Sequence, residues 1–313
     1  MSATPLLVWA IVFGISLFVL IKASDIFTDA AEKTGVFFGL PGYITGITIV
    51  GLGTSLPELA SSVLAAVANS TEIVVGNVVG SNIANILLIL GATALVRQNL
   101  RIHWSQSNLD LFFLLGSAVF VSLTAANGKF ASIEGLFCIA GLFSYMSLLV
   151  RKTRGNSNDK KEKKEKINWK IPLALVISPV FIYLGARYTV EAVIHFSEIL
   201  KVGSEVIAAS AVALGTSLPE LAVSLSAGRK GKAQIAVGNI VGSNIFNSLA
   251  VMGVPSLIAT LEVPRNIVLL GLPTMVGVTV LYLLMIRNRE IGRWEGILLL
   301  LLYGIFLRKL FTL

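Results

Sequence analysis

Two glutamates, Glu58 and Glu220, sit deep in long apolar runs, each inside the same heptapeptide, Gly-Thr-Ser-Leu-Pro-Glu-Leu, at 53–59 and 215–221. A carboxylate at the centre of a bilayer costs several kcal/mol unless it is paired or solvated. No Lys or Arg lies in the flanking helical turns to neutralise either one. A proline within a helix removes one backbone hydrogen bond and pushes aside the carbonyl four residues earlier. Pro57 is therefore expected to free the Gly53 carbonyl, and Pro219 that of Gly215. Freed carbonyls persist at membrane depth only where water, protein or a cation lines them.

A second polar element follows each glutamate: GNVVGSNIAN at 76–85 and GNIVGSNIFN at 238–247. Ser81 and Asn85 are four residues apart, as are Ser243 and Asn247, so each pair shares one helix face. Gly76 with Gly80, and Gly238 with Gly242, form GxxxG pairs that let helix backbones approach closely. A single Ser or Asn in a membrane helix more often serves interhelical hydrogen bonding. Arriving twice beside a glutamate-bearing helix, the set reads as a cage of hard oxygen ligands. Carboxylate, amide, hydroxyl and carbonyl oxygens suit Ca²⁺ and Na⁺, whereas two histidines and one cysteine argue against Zn²⁺ and copper.

The elements that must hold these residues are apolar. Of 313 residues only 13% are charged and 55% are hydrophobic, with a mean hydropathy of +0.83. Soluble domains carry about 25% charged residues. The composition excludes a disordered chain, a nucleic-acid binder and most soluble enzymes of this size, and one cysteine excludes a disulfide framework. An all-α integral membrane protein is expected. A span needs about 20 apolar residues, and ten apolar runs qualify: approximately 5–21, 40–67, 73–96, 108–126, 131–150, 170–190, 202–227, 233–260, 266–286 and 294–311. The first reads as a span rather than a cleaved leader, because Met1 to Pro5 brings no basic stretch.

The loop 151–170 carries nine Lys or Arg and three Asp or Glu, so it holds +6 of the chain's net +8. The positive-inside rule places it in the cytoplasm. Alternating outward from it, 19 of the 25 Lys and Arg fall on the cytoplasmic side, and both termini lie outside. The charge therefore records orientation; a solvated linker accounts for the loop better than a lipid-binding patch does.

Residues 51–91 and 213–253 align without a gap at an offset of 162, with 23 of 41 positions identical, and the identities gather on Gly, Thr, Ser, Pro, Glu and Asn. The chain divides into a first five-helix half (1–150), the basic loop (151–170) and a second half (171–313). An odd number of spans per half forces the second to enter the membrane inverted. Ten transmembrane helices in two inverted five-helix repeats are expected, an arrangement common among secondary transporters, which bind substrate near the midplane between repeats.

At GLGTSLPE…GNVVGSNIAN and ALGTSLPE…GNIVGSNIFN the chain resembles the sodium/calcium exchanger family of the cation/calcium antiporter superfamily, in its compact prokaryotic form. The resemblance implies that Glu58 and Glu220 are the principal metal ligands. It adds Thr54, Ser55, Ser81 and Asn85 from the first half, and Thr216, Ser217, Ser243 and Asn247 from the second. It also implies ligation by the carbonyls of Gly51 and Ala213. Na⁺ and Ca²⁺ are then transported ions, with no resident cofactor, no nucleic acid and no obligatory protein partner, and the site is the cell membrane. One departure stands out: many archaeal relatives and the potassium-dependent branch carry Asp at the position of Asn247, which argues against a potassium requirement here. The proton/calcium branch matches GTSLPE less well.

Two ionised glutamates balance one Ca²⁺ or two Na⁺, so the ions would compete for one cage. A further Na⁺, which the resemblance implies, would make exchange electrogenic. An empty site would leave two carboxylates unpaired and discourage movement without cargo. The first and sixth spans lack the cage motifs and are the expected moving part. A H⁺/Ca²⁺ antiporter is the nearest alternative, since membrane carboxylates also titrate. A channel fits less well, and an enzyme less still: there is no HExxH or GxSxG, and the glutamates lack a basic or nucleophilic partner. Asn69-Ser70-Thr71 is a glycosylation sequon expected to stay unmodified beside the membrane. His103 and His195 read as interfacial side chains and Cys138 as a small apolar packer.

Overall fold

A bilayer offers backbone polar groups no partner, so apolar runs must satisfy them internally, and the chain answers with helices. The computed structural model describes residues 3–97, 99–101, 108–156, 168–200, 215–287 and 290–310. Its principal helices are α1 (Ala3–Phe37), α2 (Gly42–Val67), α3 (Thr71–Arg97), α4 (Asn108–Thr124), α5 (Ser132–Asn156), α6 (Lys170–Leu200), α7 (Leu218–Arg229), α8 (Ala233–Ser256), α9 (Ile267–Ile286) and α10 (Arg293–Leu310). Among the described residues, eight helical stretches are long and apolar enough to cross a membrane: those of α1 to α6, α8 and α9. The expected span 202–227 is described only in its second part, as α7. The stretch α10 carries Arg293, Glu295, Arg308 and Lys309 at its ends. The fold is that of a nearly all-helical membrane protein, with most of loop 151–170 outside the described residues.

Helix α8 lies at the centre, with its most apolar window wholly buried. Against it runs a π-helical stretch of α2, Gly46–Val50. The approach is backbone to backbone. A Cβ on Gly46 would stand 2.5 Å from the Ile235 carbonyl oxygen, and one on Gly238 or Gly242 would collide with the Tyr43 or Ile47 carbonyl. The second GxxxG pair thus packs as expected. The first does not do so visibly: no described atom comes within 4 Å of a Cβ on Gly76 or Gly80. The segment related to Gly46–Val50 by the 162-residue offset, 208–212, lies outside the described residues.

Two short antiparallel ribbons join the halves. Strand β1 (Asn99–Arg101) pairs with β4 (Glu290–Gly292), and β2 (Lys129–Phe130) pairs with β3 (Leu261–Glu262). Shifting β1 by 162 residues lands on β3, and shifting β2 lands within β4, so each ribbon is the counterpart of the other.

Helix α1 runs well past its expected end at residue 21. Its extension is polar because it is paired. Asp25 accepts from Ser226 Oγ at 2.6 Å and lies 3.8 Å from Arg229. Lys230 reaches Asp29 at 2.8 Å, and Lys232 reaches both Asp29 and Glu32. Burial works against the Lys232 ammonium, but its hydrogen bonds to Asp29 and Glu32 outweigh that and raise its pKa. Helices α1 and α6 pack chiefly on each other and meet the rest through a small separate core of Leu20, Phe27, Ile182, Ala186, Val223 and Ala227.

Candidate functional site

The two heptapeptides fold differently. Helix α2 continues through Pro57, with Glu58 one residue on. In the second half Ser217 stands at the N-cap position of α7 without a side-chain capping bond, and Pro219 sits in the first turn, ahead of Glu220. A proline there costs no hydrogen bond, since the first amides of a helix have no intrahelical acceptor. The expected mid-helix proline is therefore observed in the first half only.

Both glutamates are 1% exposed, and they lie within electrostatic range of each other. Ser55 of the first half donates to Glu220 Oε1 of the second at 3.1 Å. Ser217 donates to Ser81 across the same divide, also at 3.1 Å. Thr54 lies 3.4 Å from Ser243 Oγ, and both hydroxyls reach toward the Gly51 carbonyl, at 3.4 and 3.5 Å. Asn85 donates to Asn244 Oδ1 at 2.8 Å. Thr216 donates to Asn77 Oδ1 at 3.0 Å. Asn247, buried, opens a π-helical stretch of α8, as Asn85 does in α3. Of the twelve residues singled out, eleven are thus placed around the facing segments of α2, α3, α7 and α8. Ala213 lies outside the described residues, as does His103.

The chemistry shows in what is left unpaired. Both carboxylate oxygens of Glu58, Oε2 of Glu220, Oδ1 of Asn82 and of Asn85, and both amide atoms of Asn247 are buried without a hydrogen-bond partner. Burying a polar atom without a partner is costly, and native structures keep few such atoms. Six orphaned hard oxygens and the hydroxyls around them are groups that could hold an oxygen-seeking cation; Ca²⁺ takes about 6–8 oxygens. Among the described residues no group of three or more His, Cys, Asp or Glu is placed to hold a metal ion, so two carboxylates and neutral oxygens are what the site offers.

Four asparagines escaped the residue-by-residue reading: Asn77, Asn82, Asn239 and Asn244. Asn82 and Asn244 exchange bonds, each amide donating to the other's backbone carbonyl, at 3.5 and 3.3 Å. Asn82 also donates to Ser248 Oγ at 2.8 Å. The available signal was their identical placement in both motifs; Asn77 lies four residues before Ser81, on the same face.

Residues 8–151 and 170–311 match the family model for the sodium/calcium exchanger protein. The chain belongs to the sodium/calcium exchanger family. It is 34% identical to the sodium/calcium exchanger MaX1 of Methanosarcina acetivorans, over 93% of this chain and 95% of that one. It is 31% identical to the inner membrane protein YrbG of Escherichia coli, over 91% of each. Its fold matches that of the sodium-calcium exchanger NCX_Mj soaked with Na⁺ and Sr²⁺, with a TM-score of 0.82, 29% identity, and coverage of 95% and 96%. The exchanger family is one of transporters, and this member is a multi-pass membrane protein.

Proposed function

We propose that this exchanger is a secondary antiporter moving Na⁺ against Ca²⁺ by alternating access across the cell membrane. The observation that carries the reading is the pair of buried glutamates, one from each repeat, with three carboxylate oxygens lacking any donor. Its ligands are Glu58 and Glu220, with Thr54, Ser55, Ser81, Asn85, Thr216, Ser217, Ser243 and Asn247, and the carbonyls of Gly51 and Ala213. Two carboxylates neutralise one Ca²⁺ or two Na⁺, so the two cargoes displace each other. A third Na⁺ makes the Na⁺-loaded form positive and the cycle electrogenic.

The architecture proposed is ten spans in two inverted halves, 1–150 and 171–313, joined by the cytoplasmic loop 151–170, with both termini outside. The sequence repeat supports it, as do the two strand ribbons and the Asn82–Asn244 exchange, all related by one offset. The separate core under α1 and α6 supports their movement as a pair against the rest.

The test is ⁴⁵Ca²⁺ uptake in proteoliposomes under separate Na⁺, K⁺ and H⁺ gradients. Uptake driven by Na⁺, without added K⁺ and accelerated by a membrane potential, is expected. Uptake driven by a pH gradient alone would make it a H⁺/Ca²⁺ antiporter. A K⁺ requirement would show that Asn247 does not exclude the potassium-dependent mode.

A further inference from the structure

We propose that Asn77 and Asn239 are positioning residues for the cation site: each draws away the hydroxyl proton of a threonine from the opposite half, turning that threonine's oxygen lone pairs toward the cation. The inference rests on the reading of the site as a Ca²⁺ and Na⁺ cage.

A hydroxyl has one proton and two lone pairs. It ligates a cation only when the proton points elsewhere, so a ligand threonine needs an acceptor behind it. Inside a helix the default acceptor is the carbonyl three or four residues back. For Thr54 those are Gly51 at 3.4 Å and Val50 at 3.2 Å. Using the first would consume a carbonyl proposed as a ligand. Outside the helix, and nearer than Ser243 Oγ at 3.4 Å, Asn239 Oδ1 offers an acceptor at 3.1 Å. Its orientation is set by its other end: Nδ2 donates to Ser224 Oγ at 2.9 Å and to the Glu220 backbone carbonyl at 3.4 Å. A carbonyl can only accept, so the nitrogen must face it and the oxygen must face Thr54.

The same device occurs a second time. Thr216 donates to Asn77 Oδ1 at 3.0 Å, and Asn77 Nδ2 donates to Ser62 Oγ at 3.2 Å. Ser62 and Ser224, Asn77 and Asn239, and Thr54 and Thr216 are each 162 residues apart. Each relay runs from a serine and an asparagine of one half to a threonine of the other. Neither asparagine has an orphaned polar atom, in contrast to Asn85 and Asn247; they support the cage without offering it an oxygen. Burial differs between the copies. Asn239 is fully enclosed and Asn77 is partly exposed.

Two double-mutant cycles on the full chain in proteoliposomes test this: Asn239→Ala with Thr54→Val, and Asn77→Ala with Thr216→Val. The readouts are the apparent KM for Ca²⁺ and the maximal rate of Na⁺-driven ⁴⁵Ca²⁺ uptake, with a melting curve to establish folding. Each asparagine variant is expected to raise KM about tenfold, the worth of one ordinary hydrogen bond, and to leave the maximal rate nearly unchanged. In the Thr→Val background the same asparagine change should add almost nothing, because the hydroxyl it acts through is gone. A merely structural asparagine would give the same loss in both backgrounds. Additive losses, or an unchanged KM, in either cycle whose proteins fold overturn the proposal. Asn77, being partly exposed, keeps the test available if Asn239→Ala does not fold. Absence of Na⁺-driven uptake by the unaltered protein overturns the functional reading, and this inference with it; uptake with additive losses overturns this inference alone.

Discussion

Replacing Glu58 by Gln should weaken Ca²⁺ binding while leaving the empty protein at least as stable. Neither Glu58 oxygen has a hydrogen-bond donor, and the side chain is 1% exposed. In the proposed site the two carboxylates would neutralise a bound Ca²⁺. With one gone, a net charge stays buried, and breaking a buried charge pairing in this way costs about 3–5 kcal/mol. At 1.4 kcal/mol per factor of ten, the dissociation constant should rise roughly 10²- to several 10³-fold. A ligand at 100 times its dissociation constant stabilises the folded state by about 2.7 kcal/mol. The same Ca²⁺ concentration would stabilise the variant by about 0.4 kcal/mol or less. Without Ca²⁺ the order reverses, because an unpartnered buried amide costs less than an unpartnered buried carboxylate. Glu220→Gln should gain less in the empty state, since it weakens the bond that Ser55 donates to Glu220 Oε1. Equilibrium ⁴⁵Ca²⁺ binding and melting curves with and without Ca²⁺ read both effects. Ca²⁺ affinity left near that of the unaltered protein, or an undiminished Ca²⁺-induced rise in melting temperature, would refute the reasoning.

Joining α1 to α7 tests the moving pair. Cysteines at Asp25 and Ser226, whose side chains now meet at 2.6 Å, bridged by a short thiol reagent should abolish ⁴⁵Ca²⁺ uptake but not Ca²⁺ binding; Cys138 is buried and should not compete. Flux unchanged after complete cross-linking would eliminate α1 and α6 as the moving element. Gly238→Ala should lower the melting temperature, because its Cβ would collide with the Tyr43 carbonyl, and overpacking costs about 1–3 kcal/mol. Gly277→Ala, where a Cβ meets nothing within 4 Å, should be neutral or stabilising by roughly 0.5–1 kcal/mol. Equal shifts for the two would dismiss backbone contact as the role of the second GxxxG pair.

Sequence by itself determined the class of the protein and most of its candidate site. A bilayer tolerates few charges, so rarity alone marks Glu58 and Glu220 as candidates, and the repeat of polar identities marks the residues around them. What it left open depended on approach between distant segments. Apolarity alone ends the first span at residue 21, whereas α1 runs on to Phe37, because the partners of Asp25, Asp29 and Glu32 lie some 200 residues away, in Ser226 to Lys232. One GTSLPEL peptide continues a helix and its twin begins one, a difference that seven identical residues cannot encode. Two GxxxG pairs are equal as text, yet only the second has a backbone of described residues against it. Which oxygens are satisfied and which stand orphaned was likewise decided in three dimensions, since Thr54 and Asn239 are 185 residues apart. Composition and spacing name the groups that could hold a cation; only the packing of one half against the other decides which protons and lone pairs remain to do so.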